Sequence, residues 1–256
     1  MVGIVVVSHS EPLARAAVEL ALQMVGDDSP PIEIAAGNDG RLGTDAVAVA
    51  GAIQRADAAS GGSGVLVITD LGSALLSSEM ALELADALTG DVVLSRAPFV
   101  EGLVAAVVQA AIGKSLRDVE AEAVGAGTTK AAEFGPNTAS PPLPEPTGPS
   151  PEQESGDVAT LDVDIINPQG LHARPAALFA KAAAELAVDV SVTNLETGQG
   201  PAAADSMIEL MSLGVRLGNR VRLSASGPEA AAALDSLAAL IAEGLGEGDG
   251  RSAPSG

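Results

Sequence analysis

The sequence predicts two modules of mixed α/β class. The first is a doubly wound parallel sheet over residues 1–133, and the second is an α+β open-faced sandwich over residues 158–243. Three observations carry this. In the first stretch, continuous apolar strands alternate with helical segments, as in a parallel sheet covered on both faces. In the last stretch, strands alternate apolar and polar residues and helices are interspersed, as in an antiparallel sheet with one face on the core. Between them, residues 134–157 read "FGPNTASPPLPEPTGPSPEQESGD", which has no apolar period and is dominated by proline, glycine, serine and glutamate. Such a composition predicts a linker.

Each element follows in order. "GIVVVS" (3–8) is an apolar strand, and residues 11–25 have helical spacing. "PIEIAA" (31–36) is a second strand. "TDAVAVAGAIQRADAA" (44–59) is a helix with Thr44 as its expected N-cap. "GVLVITD" (64–70) is the third strand and "SALLSSEMALELADAL" (73–88) its helix. "DVVLS" (91–95) is the fourth strand, and "PFVEGLVAAVVQAAIG" (98–113) opens with a proline at a helix start. After the linker, "ATLDVDII" is a strand, 172–187 a helix and "VDVSVTN" a strand with "ETGQG" as its turn. "DSMIELMSLG" is a short helix, "NRVRLSAS" a strictly alternating strand and "GPEAAAALDSLAALIAEG" an amphipathic helix. Residues 244–256, rich in glycine and serine, read as a disordered tail.

Composition excludes several classes of function. The net charge is −21, which disfavours nucleic acid and anionic membrane surfaces as partners. No apolar run approaches the length of a membrane span, and the short N-terminal apolar stretch does not read as a signal peptide. There is no cysteine, so disulfides and thiolate metal sites are absent and a cytoplasmic location is expected. No phosphate-binding GxxxxGK[ST], no GxGxxG after the first strand and no zinc-type histidine pair occurs, so neither cofactor nor metal is expected.

The chain has two histidines, and both sit where a helix begins. His9 follows the first strand. Ligands of parallel α/β sheets bind at the carboxyl ends of strands, beside helix N-termini that favour anions. A capping or surface histidine is the alternative reading. His172 lies in "NPQGLHARPAALFAKAAA", where Gly170 permits a turn, Pro175 suits a first helical turn and Arg174 offers a fork of donors to phosphate oxygens. Histidine is a nucleophile able to hold a phosphoryl group, and phosphoryl transfer needs positioning and charge stabilisation above all.

"GLHARPA" together with "DSMIELMSLGV" resembles HPr, the phosphocarrier of the phosphoenolpyruvate phosphotransferase system, over residues 158–243. The resemblance implies His172 as the phosphorylated residue and Arg174 as its phosphate partner. Ser206 falls where some HPr proteins carry a regulatory serine, although an N-cap for a short helix is its simpler role. In this segment acidic residues outnumber basic ones roughly twofold, an unusual surface for HPr partners.

"VVVSHS" resembles the mannose-class enzyme IIA domain, with His9 as the phosphorylatable residue. "RLGTDAVAVAGAI", "GVLVITDLGSALLSSEMALEL" and "APFVEGLVAAVVQAA" are most similar to the phosphoryl-donor subunits of phosphotransferase-dependent dihydroxyacetone kinases. The resemblance implies a relay fed by enzyme I and HPr. It would serve ADP on a DhaL subunit, with dihydroxyacetone on DhaK, and work as a homodimer through the N-terminal domain. Some members carry a further enzyme I-like segment. These 256 residues hold none, so a separate enzyme I is the expected donor. The alternative is a mannose-class enzyme IIA–HPr fusion feeding a IIB domain and a sugar permease.

With the strand order 2-1-3-4 usual for such sheets, Asp70 at the end of the third strand neighbours His9. Its carboxylate would take one ring N–H and leave the other nitrogen free to attack. A cap for the third helix is its other reading. Thr44, Gly72 and Ser73 lie on neighbouring strand-end loops as candidate phosphate donors.

Overall fold

The computed structural model describes residues 1–38, 40–133 and 158–246. The expected linker at 134–157 and residues 247–256 of the expected tail lie outside the described residues.

β1 (Gly3–Ser8) is buried at every position because helices cover both of its faces. Ile4 and Val6 pack with α1 (Glu11–Leu22) and α4 (Phe99–Ala111). Val5 and Val7 pack on the other side with α2 (Ala46–Ser60) and α3 (Gly72–Leu84). β3 (Val65–Thr69) divides its side chains the same way. With β2 (Ile32–Ala36) and β4 (Val92–Leu94) these strands form one parallel sheet in the order β2-β1-β3-β4. Burial of each large aliphatic side chain here, such as Ile4, Ile53 or Leu66, contributes roughly 1.5–3 kcal/mol.

Three local readings are corrected. The cap of α2 is Asp45, whose Oδ1 accepts the Val47 N–H at 2.9 Å, because the Thr44 hydroxyl is engaged with Ser77 instead. α3 stops at Leu84, four residues short of the segment read as helix. The buried carboxylate of Asp57 draws the following chain away by accepting the Thr89 N–H, the Thr89 hydroxyl and the Gly90 N–H. Finally, a helix not read from the sequence, α5 (Leu116–Glu133), runs back along α4. Their approach is close: a Cβ on Gly102 would come within 3.1 Å of the Ala123 carbonyl oxygen.

The C-terminal half is built from β5 (Val158–Asp164), α6 (Ala173–Ala184), β6 (Val190–Asn194), β7 (Ala202–Ala203), α7 (Met207–Ser212), β8 (Arg220–Ser226) and α8 (Ala230–Ala242). The strands form an antiparallel sheet in the order β5-β8-β6-β7. Val221, Leu223 and Ala225 face the helices. The outward residues Arg220 and Arg222 pair across the ladder with Asp164 and Asp162 at 2.8 and 2.7 Å. This is the open-faced arrangement expected from strict alternation. The two-residue β7 was not anticipated. Leu245, at the start of the expected tail, is buried in the core.

Among the described residues, no helix is long and apolar enough to cross a membrane.

Candidate functional site

The strand order creates the first site. β1 and β3 are neighbours, and the chain leaves β1 towards β2 on one side and β3 towards β4 on the other, so a crevice opens beyond the carboxyl ends of β1 and β3. Val7 stands beside Thr69 in register, and the Asp70 N–H donates to the Val7 carbonyl at 3.2 Å. The next residue on each strand is therefore a neighbour of the other.

Asp70 is the hub. Its Oδ1 lies 3.0 Å from Nδ1 of His9, and its Oδ2 accepts the His9 backbone N–H at 2.9 Å. The same carboxylate accepts the hydroxyl of buried Ser8 at 2.9 Å and the Leu71 N–H at 2.7 Å. Burial alone would raise its pKa. The backbone and ring donors of His9, with Ser8 and Leu71, outweigh that and hold the carboxyl below its ordinary range. A carboxylate can only accept, so Nδ1 carries the proton and Nε2 keeps a lone pair. Ser73, in the first turn of α3, sits with its Oγ 2.8 Å from Nε2 and donates to it. The His9 side chain keeps 22% of its surface exposed, enough for another molecule to reach it.

Of the residues singled out in the sequence, His9, Asp70 and Ser73 are in direct contact. Gly72 is the exposed first residue of α3. Thr44 is one helical turn further along, bonded to Ser77 at 2.7 Å, four residues beyond Ser73. Gly43, its neighbour, donates to the His9 carbonyl at 3.0 Å. Ser8 was missed. Its signal was a polar residue ending an otherwise apolar strand that is buried on both faces. Asp70 does not cap α3 in the manner of an N-cap side chain: it takes the N–H of its own neighbour, Leu71.

Two family models match the chain. The EIIA-man model, described as the PTS system fructose IIA component, matches residues 3–120. The PTS-HPr model, the PTS HPr component phosphorylation site, matches residues 159–243. A curated relative from Klebsiella michiganensis is the PEP-dependent dihydroxyacetone kinase phosphoryl donor subunit DhaM. It is 40% identical over 252 residues, 96% of this chain and 51% of its own. DhaM of Escherichia coli is 38% identical with the same two coverages.

The chain is similar to DhaM subunits over 96% of its length.

It spans about half the length of the curated relatives it matches. Among solved structures, an HPr from Thermoanaerobacter tengcongensis is 38% identical, covering 35% of this chain and 97% of that one, with a TM-score of 0.32.

The half that matches the HPr model carries the second histidine. His172 is the N-cap residue of α6, with extended backbone and a partly exposed side chain. Gly170, at φ +70°, turns the chain into it, and a Cβ there would meet the Val215 carbonyl oxygen at 2.0 Å. The Leu171 N–H donates to that carbonyl at 3.1 Å, which anchors the loop. Pro175 lies in the first turn, buried, and Arg174 is exposed beside it. The turn's early N–H groups lack intrahelical acceptors and add a partial positive charge. Ser206 is the N-cap of α7: its Oγ accepts the Glu209 N–H at 3.1 Å.

Proposed function

We propose that the chain is a phosphohistidine relay, the phosphotransferase component that carries phosphoryl groups from phosphoenolpyruvate, through enzyme I and HPr, to ADP on DhaL. DhaL then phosphorylates dihydroxyacetone held by DhaK. The reading takes residues 1–133 and 158–243 as the two phosphocarrier modules, acting in the cytoplasm, with the N-terminal module paired with a second copy. The observation that carries it is the Asp70–His9–Ser73 line, which leaves Nε2 of His9 as a nucleophile aimed out of a strand-end crevice.

In the receiving step, Nε2 attacks the phosphorus of a phosphoryl group on His172 or on a separate HPr. The new P–N bond forms in line as the donor's P–N bond breaks. The bonding electrons return to the donor ring, which departs as neutral imidazole. Nδ1 of His9 keeps its proton, so the phosphorylated ring is cationic, and the Asp70 carboxylate stabilises that charge. Ser73 must swing from Nε2, and its hydroxyl then donates to a phosphoryl oxygen. In the delivering step, a terminal oxygen of ADP attacks the same phosphorus and the His9 imidazole leaves. Arg174 and the first turn of α6 are suited to hold the phosphoryl oxygens on His172 in the same way.

Reconstitution tests the reading. Phosphoenolpyruvate, enzyme I, HPr, this chain, DhaK and DhaL should together form dihydroxyacetone phosphate. His9→Ala should abolish the product, and full activity of that variant would sink the assignment.

A further inference from the structure

The side chains that join the two halves converge on the start of α7. Ser206, only 7% exposed, receives a carboxylate from the other half of the chain: Glu122 of α5 lies with its two oxygens 2.9 and 2.8 Å from the Ser206 Oγ. Glu122 Oε1 also accepts the Ile208 N–H at 2.7 Å. One residue earlier, the Asp205 carbonyl accepts from Gln109 Nε2 of α4 at 3.0 Å, and the Asp205 carboxylate pairs with the ammonium of Lys114. A second ion pair joins Lys181 to Asp28. Around these bonds the packing is apolar. Met207 and Leu210 share one core cluster with Val119, Ala123 and Ala126, and Ile208 faces Gly125, where a Cβ would come within 3.8 Å.

Burial pushes the Glu122 carboxyl above its ordinary range. Ile208 and Ser206 offset part of this, and the carboxylates of Glu209 and Asp205 add to it. Placing an acid here is unfavourable unless its bonds are made, and all of them are made by the start of α7. The contact joins acidic groups on both sides, Glu122 and Asp118 against Asp205 and Glu209, with Lys114 as the cation among them. Long-range charge therefore does not hold the halves together. Specific bonds and apolar packing do.

We propose that α4 and α5 form an internal docking surface for the C-terminal domain, and that Glu122 latched onto Ser206 closes the α7 face to any second protein until the domains part. A partner that needs the Ser206 hydroxyl or the Ile208 surface must compete with α5 of the same chain. The latch goes beyond the relay and does not depend on it.

The chain lacks cysteine, so a single introduced thiol reports on the latch. In the 256-residue chain carrying Ile208→Cys, labelling by a bulky maleimide is expected to be slow. Adding Glu122→Arg should raise the rate by about tenfold or more, as opening frees the surface. Adding Lys114→Asp instead should also raise it, and combining Lys114→Asp with Asp205→Lys should bring it back down. That rescue separates an opened latch from a misfolded α5. A labelling rate that Glu122→Arg leaves unchanged, or that the charge swap fails to restore, would overturn the proposal.

Discussion

At His9 the decisive feature is the partner of each ring nitrogen. Asp70 holds the proton on Nδ1 and stays ionised because its donors outweigh its burial. Asp70→Asn keeps the volume but removes the charge that stabilises a phosphorylated ring. We expect phosphorylation of His9 by phospho-HPr to slow roughly 10²–10⁴-fold, measured by rapid-quench transfer. A loss of less than threefold would show that the carboxylate charge has no part. His9, Asp70 and Ser73 were legible in the sequence because strand ends are where a parallel sheet exposes side chains. Ser8 was missed: a polar residue ending an apolar strand hints at a buried partner, but the strand does not say that this partner is a carboxylate 62 positions away. At His172 the turn itself is the vulnerable point. Gly170→Ala forces a Cβ against the Val215 carbonyl in a backbone conformation that disfavours side chains. It should destabilise the C-terminal domain by roughly 2–4 kcal/mol in urea unfolding.

At the scale of elements, Asp57 shows a helix side chain shaping its neighbours. It is buried on α2, and the N–H of Thr89 does most to lower its pKa. Burial opposes this, and the Thr89 hydroxyl and the Gly90 N–H assist. A carboxyl whose pKa is lower in the folded chain stabilises the fold above its unfolded pKa, and that contribution is lost as pH falls through the folded value. Asp57→Asn should therefore melt several degrees lower than the parent at pH 7, and the gap should close below about pH 4. An equal gap at both pH values would mean that geometry, not charge, is what Asp57 supplies. The strands and most helices were readable from period alone. α5 was not read, yet it carries two signals: Ser115 and Asp118 bond each other in a capping arrangement, and Val119, Ala123 and Ala126 recur with helical spacing. The short residues Ala and Gly in that segment make its apolar stripe weak, and only packing on α4 reveals its purpose.

For the whole molecule, the order of phosphoryl flow is the open test. With excess external phospho-HPr, His172→Ala should retain most of the dihydroxyacetone phosphate formation that His9→Ala abolishes. An equal loss in both variants would mean that the internal carrier is obligatory. The sequence by itself determined the two fold classes, the strand ends that bear His9 and Asp70, and the helix start that bears His172. These follow from local periodicity and turn chemistry, which act over a few residues. Only the tertiary structure decided that Ser8 completes the His9 site, that Asp57 ends α3 early, and that Glu122 sits on Ser206. Each joins groups far apart in the chain, and such a meeting depends on how whole helices and sheets pack, which no short stretch of residues encodes.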